Sequence, residues 1–139
     1  MIEYSGINKI ERLRQALVFE GMQFGPSKKM KHGDIDGFID FKGEFFVFVE
    51  NKLMGNDLNI GQRLGLEHIV KAIDSGIAKA IAFVVNHNVK ECEEPVMLKD
   101  CEVIEYYYNG KWQNVKSKIK YKDAINLIAE KQGIKTWVE

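Results

Sequence analysis

Two cysteines, three histidines and no net charge set the first limits on this chain of 139 residues. Cys92 and Cys101 stand apart, without a CxxC pair or a companion histidine cluster. That excludes zinc-finger spacing and leaves reduced thiols as the expectation. His32, His68 and His87 are scattered, so carboxylates are favoured over histidines as metal ligands. Twenty basic residues cancel twenty acidic ones, and no global field selects a nucleic acid or a membrane as partner. Any such preference must come from local clusters. No apolar run approaches the roughly 20 residues that span a bilayer. Met1-Ile2-Glu3-Tyr4-Ser5-Gly6 lacks the charged-then-apolar pattern of a secretory signal. A cytoplasmic protein, or one in a host cytoplasm if virus-encoded, with no membrane partner is the expectation. Internal repeats and low-complexity tracts are also absent.

What is present is enough apolar residue, 45%, for one compact core, and the length predicts a single domain over residues 1–139. Ile7, Ile10, Leu13, Leu17 and Val18 recur at helical spacing behind Ser5, predicting a helix that ends near Gly21. Residues 25–33, rich in turn formers and lysine, read as a basic loop. Phe45-Phe46-Val47-Phe48-Val49 is an apolar run of β-formers without alternation, the pattern of a strand covered on both faces. Asn59 can cap a helix from Ile60 to about Ser75, with Gln62, Leu66, Ile69, Ile73 and Ile77 on one stripe. Gly61 and Gly65 weaken that helix, which implies close approach to the sheet or to a substrate backbone. Lys79 to Val85 then forms a strand parallel to the first apolar one, as a β-α-β crossover requires. Val103 to Tyr108, an Asn109-Gly110 hairpin turn, a strand from Lys111 onward and a helix from Tyr121 to Gln132 complete the series.

The apolar strand ends in Glu50-Asn51-Lys52, and period-2 geometry puts Glu50 and Lys52 on one face. Ile35 to Phe41 precedes it across Lys42-Gly43-Glu44, whose central glycine suits a hairpin turn. A three-residue turn sets Phe41 against Phe45, Ile39 against Val47, Gly37 against Val49 and Asp36 against Glu50, with Asp34 across from Lys52. A two-residue turn sets Asp36 against Val49 instead, on the wrong face. Two carboxylates on one face beside a buried strand repel each other, and a hard divalent cation relieves that cost.

Lys116, Lys118, Lys120 and Lys122 alternate with Val115, Ser117, Ile119 and Tyr121. An extended segment here presents a lysine row that, with Trp112 nearby, can track a phosphate backbone. The same row can instead protect a sheet edge from association.

A helix, then Gly33-Asp34-Ile35-Asp36-Gly37, a hairpin, Glu50-Asn51-Lys52 and a helix carrying Gln62 together resemble the PD-(D/E)XK nuclease superfamily. Residues 7–85 most resemble its small Holliday-junction resolvases and virus-type nuclease domains, with residues 86–139 as an extension. The resemblance implies an α/β fold with a restriction-endonuclease-like core: helix, antiparallel β-hairpin, crossover helix and parallel strand, followed by a C-terminal strand and helix. It makes Asp36 the motif aspartate, with Asp34 as rival, Glu50 the second acidic residue and Lys52 the motif lysine. Gln62 matches the glutamine of a helical QxxxY motif in which Leu66 replaces tyrosine. Glu11 matches a helical glutamate that adds an outer metal ligand, and Ser27, Lys28, Lys29 and Lys31 fall in a DNA-touching loop. Lys116, Lys118 and Lys120 are further candidate DNA contacts.

On this basis Asp36, Glu50 and the main-chain carbonyl of Asn51 are expected to bind Mg2+, for which Mn2+ can substitute. The implied function is DNA endonuclease activity on branched or distorted DNA, by attack of a metal-activated water on the phosphodiester, in a homodimer. An inactive nuclease fold retained for DNA binding or assembly is the alternative. A third reading, an unrelated α/β domain with a surface Glu50/Lys52 pair, is favoured by a two-residue turn.

Overall fold

The computed structural model describes residues 35–89 and 95–135, all within the second of two units into which the chain divides, Ile35–Glu139. Glu11, Ser27, Lys28, Lys29, Lys31 and Asp34, like the helix expected over residues 7–21, lie outside the described residues. The described part is a mixed α/β fold: a five-stranded mixed sheet with two helices. Its strands are β1 (Gly37–Phe41), β2 (Phe45–Leu53), β3 (Lys79–His87), β4 (Glu102–Tyr108) and β5 (Lys111–Asn114), and they lie side by side in chain order. Only β2 and β3 are parallel; the crossover between them is α1 (Ile60–Asp74), and α2 (Tyr121–Lys131) follows β5.

Alternation along the central strands divides the core in two. Phe45, Val47 and Val49 of β2 join Ile81, Phe83 and Val85 of β3 against Ala124, Ile125 and Ile128 of α2. Phe48, Ala82, Val84 and Tyr107 lie on the opposite face with Leu66 and Val70 of α1. The apolar run therefore has a partner on each face. Burial pushes the Tyr121 phenol well above its ordinary pKa, and burial followed by the neighbouring Asp100 charge pushes the Cys101 thiol up. Cys101 is packed into the α2 face of the core, where its raised pKa disfavours the thiolate form.

The hairpin turn has three residues, and the register sets Phe41 against Phe45, Ile39 against Val47 and Gly37 against Val49, as the sequence predicts. Lys42 and Gly43 both take left-handed backbone, at φ +57° and +73°, and the Asp40 carboxylate accepts from the Gly43 N–H at 2.6 Å. The second hairpin turns through Asn109 and Gly110, again both left-handed, as a two-residue Asn-Gly loop demands.

Several expectations change. β1 starts at Gly37 rather than Ile35, because the Asp36 side chain takes over the next backbone donor of β2. Ile77 is fully exposed beyond the end of α1; Val70 supplies the buried contact instead. A Cβ built at Gly65 meets no described atom within 4 Å, so close approach to the sheet does not explain that glycine. Within residues 95–135, β4 and β5 extend the same sheet, and α2 closes one of its faces.

Asn59 caps α1 as predicted. Its side chain accepts from the Gln62 N–H at 2.7 Å, and the Gln62 side chain accepts from the Asn59 N–H at 3.3 Å. Asn59→Ala is expected to cost about 1 kcal/mol in urea unfolding, since it leaves a helix-end donor unpaired.

Candidate metal and catalytic site

The parallel strands β2 and β3 end beside the start of α1, and the predicted catalytic groups gather there. Asp36, just ahead of β1, accepts from the Asn51 N–H at 2.6 Å through Oδ2. The carboxylate thus closes the hairpin ladder at the residue next to Glu50. Glu50 is only 5% exposed, the one buried charged residue among those described. Gln62 is one of its partners, donating from Nε2 to Glu50 Oε1 at 3.3 Å.

One glutamine therefore does two things. Its oxygen is fixed by the Asn59 backbone, which orients the amide so that its nitrogen faces Glu50. Gln62→Ala is expected to cost about 1–2 kcal/mol, by loss of half the capping box and of a donor to a buried acceptor. Gln62→Glu sets a second carboxylate against Glu50. One of two such groups has a raised pKa, so the folded state takes up a proton that the unfolded state does not. Its stability deficit relative to wild type is expected to shrink as pH falls from 7 to 4.5 in parallel urea titrations.

Lys52 follows Glu50 on the same face of β2 and is half-buried. Among the described residues it makes no hydrogen bond or ion pair. Asn86 is its direct neighbour across the β2/β3 ladder. The side-chain oxygens of Asn86 and Asn51 are both buried without a hydrogen-bond partner. An orphaned acceptor costs about 1–3 kcal/mol, and folded proteins keep few of them. Sequence reasoning missed Asn86; its signal is a lone amide continuing the Ala80, Ala82, Val84 alternation of a buried strand.

Among the described residues no group of three or more His, Cys, Asp and Glu side chains is placed to hold a metal. The expected donors are the carboxylates of Asp36 and Glu50 and the Asn51 carbonyl. Hard oxygen donors of this number suit magnesium, which commonly keeps several waters beside one or two carboxylates.

The expected lysine row is divided. Strand β5 stops at Asn114, and after a last backbone bond from Val115 to Ile104 residues 116–118 leave the sheet before the chain rejoins β4 at Ile119 and the Glu102/Lys120 bridge. Lys116 and Lys118 are exposed, whereas Lys120 lies 3.5 Å from Asp100. Trp112 does not accompany them. It sits on the α1 face, donating to Glu67 at 2.7 Å and stacked under the Arg63 guanidinium, which is itself paired with Glu105 at 2.6 Å. Those three contacts fasten α1, and so Gln62, to β4 and β5.

Among the described residues no helix is long and apolar enough to cross a membrane. No protein-family model, curated protein or solved structure matches the chain, so its functional reading rests on this site alone.

Proposed function

We propose that this chain is a magnesium-dependent phosphodiesterase, a DNA endonuclease for branched or distorted DNA on a restriction-endonuclease-like core. The observation that carries the reading is the juxtaposition at the hairpin end: Asp36 closing the ladder at Asn51, and buried Glu50 held by Gln62. A surface Glu/Lys pair, the main competitor, requires neither burial nor a dedicated amide partner.

Asp36, Glu50 and the Asn51 carbonyl would hold the ion. When bound, magnesium or manganese would supply the positive charge that polarises a phosphate oxygen and acidifies a water. Lys52 would supply a compact ammonium for the negative charge that grows on the phosphoryl oxygens. Gln62 fixes the Glu50 carboxylate, and its second amide N–H can orient the attacking water. The water oxygen would bond to phosphorus as it gives up a proton to solvent, the bond to the departing sugar oxygen would break, and that oxygen would take up a proton from solvent. Exposed Lys116 and Lys118 contribute phosphate contacts, and a homodimer supplies two sites for two nicks.

The test is incubation of the protein with plasmid, single-stranded and four-way-junction DNA in Mg2+, Mn2+ or EDTA. Metal-dependent cleavage abolished by Glu50→Ala is the expected result. Salt-sensitive DNA binding without cleavage, unaffected by metal and by Glu50→Ala, would identify the inactive binding module instead.

A further inference from the structure

We propose that Asn86 is a positioning residue for Lys52, its side-chain oxygen accepting a hydrogen bond from the lysine ammonium. The inference extends the nuclease reading, on which the role of Lys52 rests. Asn86 lies directly opposite Lys52 across the parallel β2/β3 ladder, and directly opposed residues share a sheet face. Along β3 the alternation places Ala82 and Val84 on the α1 face, and Asn86 continues that row next to Glu50 and Lys52 of β2.

Each carboxylate already has a hydrogen-bond donor. Asp36 accepts from the Asn51 N–H, and Glu50 accepts from Gln62. What remains is complementary: the Asn86 oxygen is buried without a donor, and the Lys52 ammonium has no acceptor among the described residues. Neighbouring strands are about 4.8 Å apart, a span that a lysine's four-carbon stem bridges by a change of rotamer. A neutral amide is suited to this task. It fixes the direction of the ammonium without cancelling its charge, whereas a carboxylate at position 86 would hold Lys52 in an ion pair and compete with phosphate. Glu102 follows Asn86 in the same row, on β4, and the amide separates it from Lys52.

Asn86→Leu removes the acceptor at similar size, Asn86→Ser restores a shorter one, and Lys52→Ala removes the donor. In four-way-junction cleavage, Asn86→Leu is expected to lower kcat by about 10- to 100-fold with KM within about 2-fold, as loss of an aligned charge in the transition state predicts. Asn86→Ser is expected to recover part of that loss. The Asn86→Leu/Lys52→Ala double variant should be no slower than Lys52→Ala. The second readout needs no activity. In 1H–15N spectra of the lysine ammonium groups, a hydrogen-bonded Lys52 gives a slowly exchanging cross-peak that Asn86→Leu abolishes while the backbone amide spectrum is retained.

A Lys52 cross-peak unchanged by Asn86→Leu, or never present, overturns the proposal whatever the cleavage result. Additive kinetic losses in the double variant overturn it as well. An Asn86-dependent cross-peak in a protein that cleaves none of the three DNAs upholds the Lys52–Asn86 contact and refutes the nuclease reading instead.

Discussion

A Glu50→Gln protein is expected to fold as the wild type does and to cleave DNA at least about 10³-fold more slowly, the scale of losing a principal electrostatic group of a site. Glutamine keeps the shape of the side chain, and its carbonyl oxygen still accepts from Gln62 Nε2, now at 3.3 Å from Glu50 Oε1. What disappears is the charge. A carboxylate 5% exposed carries a desolvation cost that only its partners and a cation offset, so the neutral variant should be as stable as wild type or up to about 2 kcal/mol more stable without metal. Raising Mg2+ should lift the melting temperature of the wild type and not that of the variant, because only a ligand that binds the folded state stabilises it. Urea titrations and melting curves with and without Mg2+ check this. A variant that loses several kcal/mol of stability would mark Glu50 as a structural charge, and one that cleaves at the wild-type rate would remove it from the site.

The largest stability effect is expected at Tyr107. Among the described residues it is the bulkiest of the fully buried side chains, packed on the α1 face of the sheet with its ring centroid 5.2 Å from that of Trp112. Tyr107→Ala removes an aromatic ring from a site with little room to collapse, and should cost about 3–5 kcal/mol in urea or guanidinium unfolding. That is a large fraction of a domain stability of about 5–15 kcal/mol. The loss should spread to the site. Trp112 ties β5 to Glu67, and Arg63 ties α1 to Glu105, so a disturbed Trp112 loosens the helix that carries Gln62. Weaker Mg2+-induced stabilisation in Tyr107→Ala is therefore expected alongside the lower midpoint. Lys116→Ala, on the exposed connection after β5, should stay within about 0.5 kcal/mol of wild type.

How much of this was legible follows from the range of each interaction. Hairpin register depends on two adjacent strands and their turn. Hence Lys42-Gly43-Glu44 and the apolar alternation were enough to set Gly37 against Val49, although the ladder ends there and Asp36 meets the Asn51 N–H through its side chain rather than pairing with Glu50. The Asn59 cap and the Asn109-Gly110 turn are equally local. The two roles of Gln62 were only half legible. Its spacing from Asn59 marks a capping box, but its contact with Glu50 depends on how α1 lies over the sheet. The lysine row failed as a continuous strand edge because its residues pair with β4 only where Val115, Ile119 and Tyr121 reach it, through backbone bonds to Ile104, Val103 and Cys101.

By itself the sequence determined most of the described elements to within a few residues and the first hairpin's register from Gly37 to Phe45, all governed by neighbours a few positions apart. Strand order, the joining of residues 95–135 to the same sheet and the unpaired Asn86 oxygen were decided only by the tertiary structure. So was the β-bulge between Val84 and Val85, where the pairing with β4 skips Ile104; it accompanies Glu105 lying on the α1 face, within reach of Arg63. Arg63 and Glu105 are 42 residues apart, and Glu67 and Trp112 are 45. No local periodicity encodes such pairs. They exist because the order of the strands and the packing of α1 across them bring distant side chains to one face.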